Sequence, residues 1–278
     1  MSEALHDTYP TVFRLETCSL SVVRRVAAML DQDPEAFAEG GVLPRGWQFI
    51  LLGADTPRSK LRKDGFPGLG VALPDLGLPR LVLGGRSVAY HGDIRIGEKI
   101  YRESRIDSVS RKDGKAGPMA IVSILHEFKA EGSASGPVLT ETQNYVLLGA
   151  AKGGRAAPAG DETRIQNAKV VTPDETLLFQ YSALGFNSHR IHIDRGYAQD
   201  EEGFPDLVVN GGLLTLLMTE YFREKVGKPI STLASKHIQP LYCNRPIEMT
   251  LDDGENGWVI RAYDEEVRLA AEVAITAE

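Results

Sequence analysis

The sequence predicts an α+β protein of two like domains side by side, each a curved antiparallel sheet packed around a helix. Three observations carry this prediction. Each half of the chain contains a helical pattern followed by strands that alternate polar and apolar residues and are bounded by Gly and Pro. The connections between those strands are too short for parallel crossovers, so the strands must pair antiparallel. A stretch rich in Gly and Ala, Gly149 to Gly160, has no apolar period and reads as a linker. The expected division is therefore 1–150 and 151–278.

In chain order, Thr17 to Asp31 predicts an amphipathic helix, with Val22, Val23, Val26, Met29 and Leu30 at near-helical spacing and Thr17 or Ser19 as its cap. From Gly40 to Gly84 the frequent Gly and Pro favour turns and extended segments over long helices. Strands are expected near Ser87 to His91, Ile100 to Lys112, Met119 to Ala130 and Val138 to Leu148, as an antiparallel meander. A second cycle begins at Asp174 to Ala183. Gly211-Gly212 then opens a helix over Leu213 to Lys225 that is apolar around much of its circumference and should be buried, with Gly227 and Pro229 as its stop. Strands return near Ile230 to Pro240, Pro246 to Leu251, Gly257 to Glu265 and Arg268 to Thr276. The runs Gly92 to Leu148 and Tyr242 to Thr276 each lead from a turn into a meander, an architectural internal repeat.

Composition narrows the function. The 278 residues are 42% hydrophobic, enough for a buried core, and the net charge of −7 argues against a general nucleic-acid binder, which needs a basic surface. Cys18 and Cys243 lie too far apart in sequence to suggest a disulfide framework or a zinc site. Met1 to Pro10 has no basic region followed by an apolar run, and no segment has the length to span a bilayer. A cytoplasmic setting with no membrane partner is the expectation.

Two of six histidines fall within four positions, in Phe186-Asn187-Ser188-His189-Arg190-Ile191-His192-Ile193-Asp194. Imidazole titrates nearest neutrality and can pass a proton either way. Asn187 can hold a water or a substrate oxygen, and Asp194 can orient an imidazole. The alternative is a solvated loop carrying two surface histidines. A second feature, Leu207-Val208-Val209-Asn210-Gly211-Gly212-Leu213, is a strand-like run ending in two glycines at a helix start. Its unpaired N–H groups and the helix dipole would stabilise a developing oxyanion, such as a thioester enolate. Taken alone, it also reads as a tight turn that needs small residues. Together the two features favour an enzyme. His91, His126 and His237 stand on or beside strands without a neighbouring partner and read as structural. Arg58, Lys60, Arg62 and Lys63 form a basic cluster open to two readings, a solvated loop or a contact for coenzyme A phosphates.

The run from Tyr181-Ser182-Ala183-Leu184 through Asn187, His189, Arg190, Ile191, His192, Asp194 and Ala198 to Val208-Val209-Asn210-Gly211 resembles the MaoC-like, R-specific hydratase and dehydratase group. Within that group it is most similar to the branch of mitochondrial 3-hydroxyacyl-thioester dehydratases and itaconyl-CoA and mesaconyl-CoA hydratases. The resemblance covers most of the chain. In the first half it rests on Trp47, Gly65-Phe66-Pro67, Leu78-Pro79-Arg80 and the strand opening over Ile94 to Arg102.

The resemblance implies a double hotdog whose second half keeps the catalytic loop while the first shapes an acyl-CoA tunnel. It implies a hydro-lyase acting on an α,β-unsaturated acyl-CoA, with a short branched dicarboxylic acyl group favoured. No metal and no cofactor is needed, because the thioester acidifies the α-proton and coenzyme A is part of the substrate. The family motif has Asp, then Asn two places on, then His five places on from the Asp. Registered on His192, this chain has Asn187 where relatives carry Asp and His189 where they carry Asn. Proton transfer then falls to His192, with His189 as its partner and the Gly211 N–H on the thioester carbonyl. Tyr181, Ser182, Arg190, Asn210 and Gly212 are the expected substrate-binding residues, Arg190 facing a substrate carboxylate or pairing with Asp194 or Asp206. Two hotdogs in one chain already form the pair that single-hotdog proteins make by dimerising, which leaves a homo-oligomer open. A fatty-acid-synthesis dehydratase, a thioesterase and a non-catalytic acyl-thioester binding module are the competing readings.

Overall fold

The computed structural model describes residues 9–114, 117–133, 136–149 and 165–278. His6, the expected boundary at 150/151 and nearly all of the expected linker lie outside them. The first half contains β1 (Val12–Thr17), α1 (Leu20–Met29), β2 (Arg80–Tyr90), β3 (Lys99–Gly114), β4 (Gly117–Ala130) and β5 (Leu139–Leu148). The second contains β6 (Lys169–Val171), α2 (Glu175–Leu184), α3 (Gly211–Val226), β7 (Ile230–His237), β8 (Ile247–Gly254), β9 (Gly257–Tyr263) and β10 (Leu269–Ala277).

All ten strands join one antiparallel sheet in the order β1-β3-β4-β5-β2-β7-β10-β9-β8-β6. Read inward from either edge, the order is the same: first, third, fourth, fifth and second strand of each half. The repeat therefore extends beyond the meanders to an edge strand and a central strand, which is the double-hotdog arrangement. The simple meander expected in the first half is corrected in one respect. β2 pairs with β5 on one side and β7 on the other, and does not neighbour β3.

The helices follow the residues that cap and bury them. Thr17 ends β1 and Ser19 occupies the cap position of α1, without a side-chain bond to the backbone. Asp174 caps α2, its carboxylate accepting from the Leu177 N–H at 2.8 Å. Gly227 closes α3 in the left-handed conformation, with φ of 69°, and donates its N–H to Arg223 O. The run Leu207 to Val209 is extended but stands outside the sheet, bridged to Tyr242 at Val208 and bonded to the histidine loop by the Val208 N–H to Ile191 O at 2.9 Å.

α3 is the central helix. Leu213, Leu216, Met218 and Phe222 are buried in a core that also takes Val23 and Val26 of α1, Leu178 of α2 and strand residues of both halves. Phe222 meets Trp258 edge-on with centroids 5.4 Å apart, and Trp47 donates its indole N–H to Glu220 at 2.7 Å. Cys18 and Cys243 are buried free thiols. The first half is built differently. Its helix has 10 residues against 16 for α3, about 15 Å against about 24 Å of length. The rest of its sheet, including Ile106, Val122, Ile124 and Leu147, is covered by a coil carrying Phe66, Leu69, Leu73 and Leu78. The expectation of a sheet wrapped on a helix thus holds fully for the second half and in part for the first. No helix among the described residues is long and apolar enough to cross a membrane.

Truncating Phe222 to Ala is expected to cost about 3–5 kcal/mol of unfolding free energy, because the ring is fully buried between helix and sheet. Denaturant unfolding checks this, and a loss below about 1 kcal/mol would contradict the packing described.

Candidate active site

A cavity of about 540 Å³ lies where the halves meet. Leu52, Ala54, Phe66, Leu81 and Tyr145 line it from the first half, and the loop after α2, the segment before α3 and the turn after β7 line it from the second.

The loop after α2 is held on both flanks. Phe186 turns the chain at φ of 48°, the Asn187 N–H donates to Ser182 O at 2.7 Å, and Asn187 Oδ1 accepts from the His189 N–H at 3.1 Å. From the first half, Asp64 O accepts from the Arg190 N–H at 2.8 Å and Gly65 O accepts from Ser188 Oγ at 2.7 Å. Gly65 has φ of +76°, and a Cβ there would stand 2.4 Å from Ser188 O, so only glycine lets the two loops approach. The Gly-Phe-Pro motif is thus a docking element for the histidine loop.

His192 Nδ1 lies 2.7 Å from Val208 O. A carbonyl only accepts, so Nδ1 carries the proton and Nε2 keeps a lone pair. Burial pushes the His192 pKa down to about 3, with His189 adding to the shift and the Val208 bond opposing it. His189 stands perpendicular to it at 5.5 Å between ring centroids, and burial also lowers its pKa, against the raising effect of Asp64 and Glu202. Both rings are therefore neutral at neutral pH. Asp64 Oδ2 is 3.7 Å from His189 Nε2, too long for a hydrogen bond but close enough to act as its countercharge. Asp64 is itself paired with Arg62 at 2.8 Å and stands behind His189 without lining the cavity.

Asn187, His189, His192, Tyr181, Asn210, Gly211 and Gly212 all line the cavity. Asn210 Oδ1 is buried without a partner. Gly212 is required by its surroundings, since a Cβ would lie 2.1 Å from Tyr181 Oη and 3.2 Å from Arg86 Nη2. Ser182 lies behind the wall, accepting from Asn210 Nδ2 at 3.3 Å. Arg190 is directed away from the cavity: it binds Asp194 at 2.8 Å and stacks 4.1 Å over the Tyr197 ring. That pairing was one of its two expected roles, and it also removes Asp194 from the task of orienting an imidazole. Arg58, Lys60, Arg62 and Lys63 are exposed on the turn and coil leading into Gly65, with Arg62 paired to Asp64 at 2.8 Å.

His126 and His237, expected to be structural, also line the cavity, whereas His91 is exposed beside Thr140. His237 packs against the start of α3, its ring 3.4 Å from where a Gly211 Cβ would lie. Burial takes both pKa values down to about 4. Beneath them runs a buried network that the sequence did not reveal. Arg86 Nη1 donates to Glu141 Oε1 at 3.2 Å, Gln143 Nε2 to the same oxygen at 2.7 Å, Gln48 Nε2 to Oε2 at 2.9 Å and Tyr145 OH to Gln143 Oε1 at 2.8 Å. One signal was available: Glu141 and Gln143 share the face of β5 that buries Leu139 and Leu147.

The profile of the family described as hydroxyacyl-thioester dehydratase type 2 matches residues 46–243. The chain belongs to that family. It is a hydro-lyase of the MaoC-like hotdog group. A mesaconyl-C(4)-CoA hydratase from Chloroflexus aurantiacus is 32% identical over 228 residues, covering 80% of this chain and 79% of that protein. Among solved structures, a MaoC-like dehydratase from Phytophthora capsici superposes with a TM-score of 0.70 at 14% identity, covering 100% of this chain and 98% of that one. A Mycobacterium tuberculosis protein described as a double hotdog gives a TM-score of 0.58 at 14% identity, covering 97% and 95%. The likeness to these two structures concerns the fold.

Replacing Gly212 by Ala forces Tyr181 or the helix start to move, so it should lower kcat/KM at least about tenfold, given what small misplacements cost; unchanged kinetics would contradict the packing at α3. The buried histidines set an acid limit on stability. Their folded-state pKa values lie below the usual 6.5, so below about pH 6.5 the unfolded chain binds protons that the native one refuses, and stability falls as pH falls towards 4. His126 and His192 should each contribute a slope of about 1.4 kcal/mol per pH unit. A stability profile that is flat across this window would contradict their burial in neutral form.

Proposed function

We propose that the protein interconverts an α,β-unsaturated acyl-CoA and its hydroxyacyl-CoA, the acyl group being short, branched and dicarboxylic: mesaconyl-CoA with its thioester at C4, with citramalyl-CoA as the hydrated form; itaconyl-CoA, whose double bond lies β,γ to the thioester, enters the same scheme only after that bond shifts into conjugation. The observation that carries the reading is the His192 Nδ1 to Val208 O bond of 2.7 Å, which leaves Nε2 as a base beside the opening of α3. In the hydration direction a water held by Asn187 gives a proton to His192 Nε2 as its oxygen bonds to the β-carbon. The double-bond electrons move through the α-carbon to the thioester oxygen, where the Gly211 N–H and the dipole of α3 stabilise the enolate. The α-carbon then takes up a proton from the imidazolium, and the base is restored. Dehydration runs the same steps backwards.

His189, with Asp64 as countercharge, flanks the same water as partner to His192. The thioester itself acidifies the α-proton, so the scheme uses no metal or redox cofactor. The exposed Arg58, Lys60, Arg62 and Lys63, beside the loop that carries His189, suit the phosphates of coenzyme A. The dicarboxylic choice is supported by the similarity to the mesaconyl-C(4)-CoA hydratase.

Purified protein assayed with itaconyl-CoA, mesaconyl-CoA and crotonyl-CoA should hydrate mesaconyl-CoA most efficiently; a preference for crotonyl-CoA would favour a fatty-acid-type dehydratase instead. His192→Ala should lower kcat/KM by about 10²–10⁴-fold while the circular dichroism spectrum is retained. Near-normal turnover by this variant would reject the assignment.

A further inference from the structure

The mechanism leaves one buried charge on the cavity wall unused. Arg86 is 8% exposed and lines the cavity, and its bond to Glu141 occupies only Nη1. Its Nε is buried with no hydrogen-bond partner, an arrangement that is unfavourable unless something accepts from it. Glu141 reaches the guanidinium only at Nη1, its oxygens also receiving Gln143 Nε2 and Gln48 Nε2. The Nε–Nη2 edge, the side-on edge that holds carboxylates bidentately, is therefore uncommitted.

Its position matters as much as its lack of a partner. Nη2 lies 3.2 Å from where a Cβ on Gly212 would stand, one residue from the Gly211 N–H, and consecutive Cα atoms are about 3.8 Å apart. A group bound at the guanidinium and a carbonyl bound at Gly211 are thus one short acyl group apart. His126 lies beside Arg86 on the same cavity: it is 2% exposed, its Nδ1 is 2.8 Å from Ser104 Oγ, and Gln143 is its other polar neighbour.

We infer that Arg86 is the specificity-determining residue of the acyl site, its Nε–Nη2 edge taking the distal carboxylate of a dicarboxylic acyl thioester with a four-carbon main chain, with His126 beside it. The inference rests on the hydratase reading in that the thioester carbonyl is placed at Gly211. It gives to Arg86 the role that the sequence suggested for Arg190. A hydrocarbon tail of the same length would cover the guanidinium without satisfying it, so the site discriminates against a terminal methyl group.

Calorimetric titration of the full chain with succinyl-CoA and butyryl-CoA tests this, because both carry four-carbon acyl groups and neither can be hydrated or dehydrated. Succinyl-CoA should bind about 10–100-fold more tightly. Equal binding, or tighter binding of butyryl-CoA, overturns the inference. In a variant carrying Arg86→Gln with Glu141→Gln, which leaves no unpaired buried charge, the ratio should fall to within about twofold. Arg86→Lys, which keeps the charge and the Glu141 pair but loses the side-on edge, should lower it part of the way. A ratio that either folded variant leaves unchanged also overturns it. A protein that prefers succinyl-CoA yet hydrates no thioester retains this inference and loses the hydratase reading. One that hydrates crotonyl-CoA without preferring succinyl-CoA loses only this inference.

Discussion

The antiparallel pairing of β2 with β7, from Gly85 opposite Lys236 to Ala89 opposite Thr232, makes one molecule of the two halves, and the site depends on it. It sets Arg86 opposite Ser235, whose Oγ accepts the Arg86 N–H at 3.1 Å, and thereby places the guanidinium under the start of α3. His237, at the end of β7, reaches Gly211 from the same register. A slip of one residue would turn every side chain of β2 to the other face and remove Arg86 from the cavity. The second contact between halves, Gly65 against Ser188, fixes the histidine loop in a way the sheet alone would not. The cavity also exists because the halves are unequal: α1 is short, and coil rather than helix covers the rest of the first sheet.

Burial governs the chemistry of what lines that cavity. Four histidines surround it and all have lowered pKa values, so the site presents neutral imidazoles around Asn187. A neutral ring whose Nδ1–H is committed to a backbone carbonyl is a base with one available nitrogen. The same desolvation weakens that base, so a reacting water must be held close, a task for which Asn187 and His189 are placed. Fixed charge is kept at a distance from His192: Asp64 stands by His189, and Arg86 is neutralised by Glu141 beneath the helix start.

Much of the second half was legible in the residues. Two histidines within four positions, followed by a Gly-Gly helix opening, located the loop and α3, and the alternating strands fell close to their observed places. The first half was less so, for physical reasons. β2 begins at Arg80, seven residues before its expected start at Ser87, because Gly84-Gly85 interrupts its alternation where the register with β5 shifts. On β5, polar Glu141 and Gln143 occupy the buried face, so a binary pattern assigns them to solvent. Asp64 and Arg86 join the site only through long-range contacts: Asp64 adjoins the Gly65-Phe66-Pro67 motif, which marks a match but not a role for the carboxylate, and nothing in the neighbours of Arg86 marks it. His126 and His237 lacked a partner nearby in sequence, and their partners are cavity walls contributed by other strands and by α3.

The proton on His192 is where the account is most exposed. Nitrogen NMR of protein labelled at histidine reads the tautomer and charge of each ring directly. The His192 ring is expected to be neutral, protonated on Nδ1, and without titration from about pH 8 down to about pH 5. A ring protonated on Nε2, or an imidazolium at neutral pH, would contradict it.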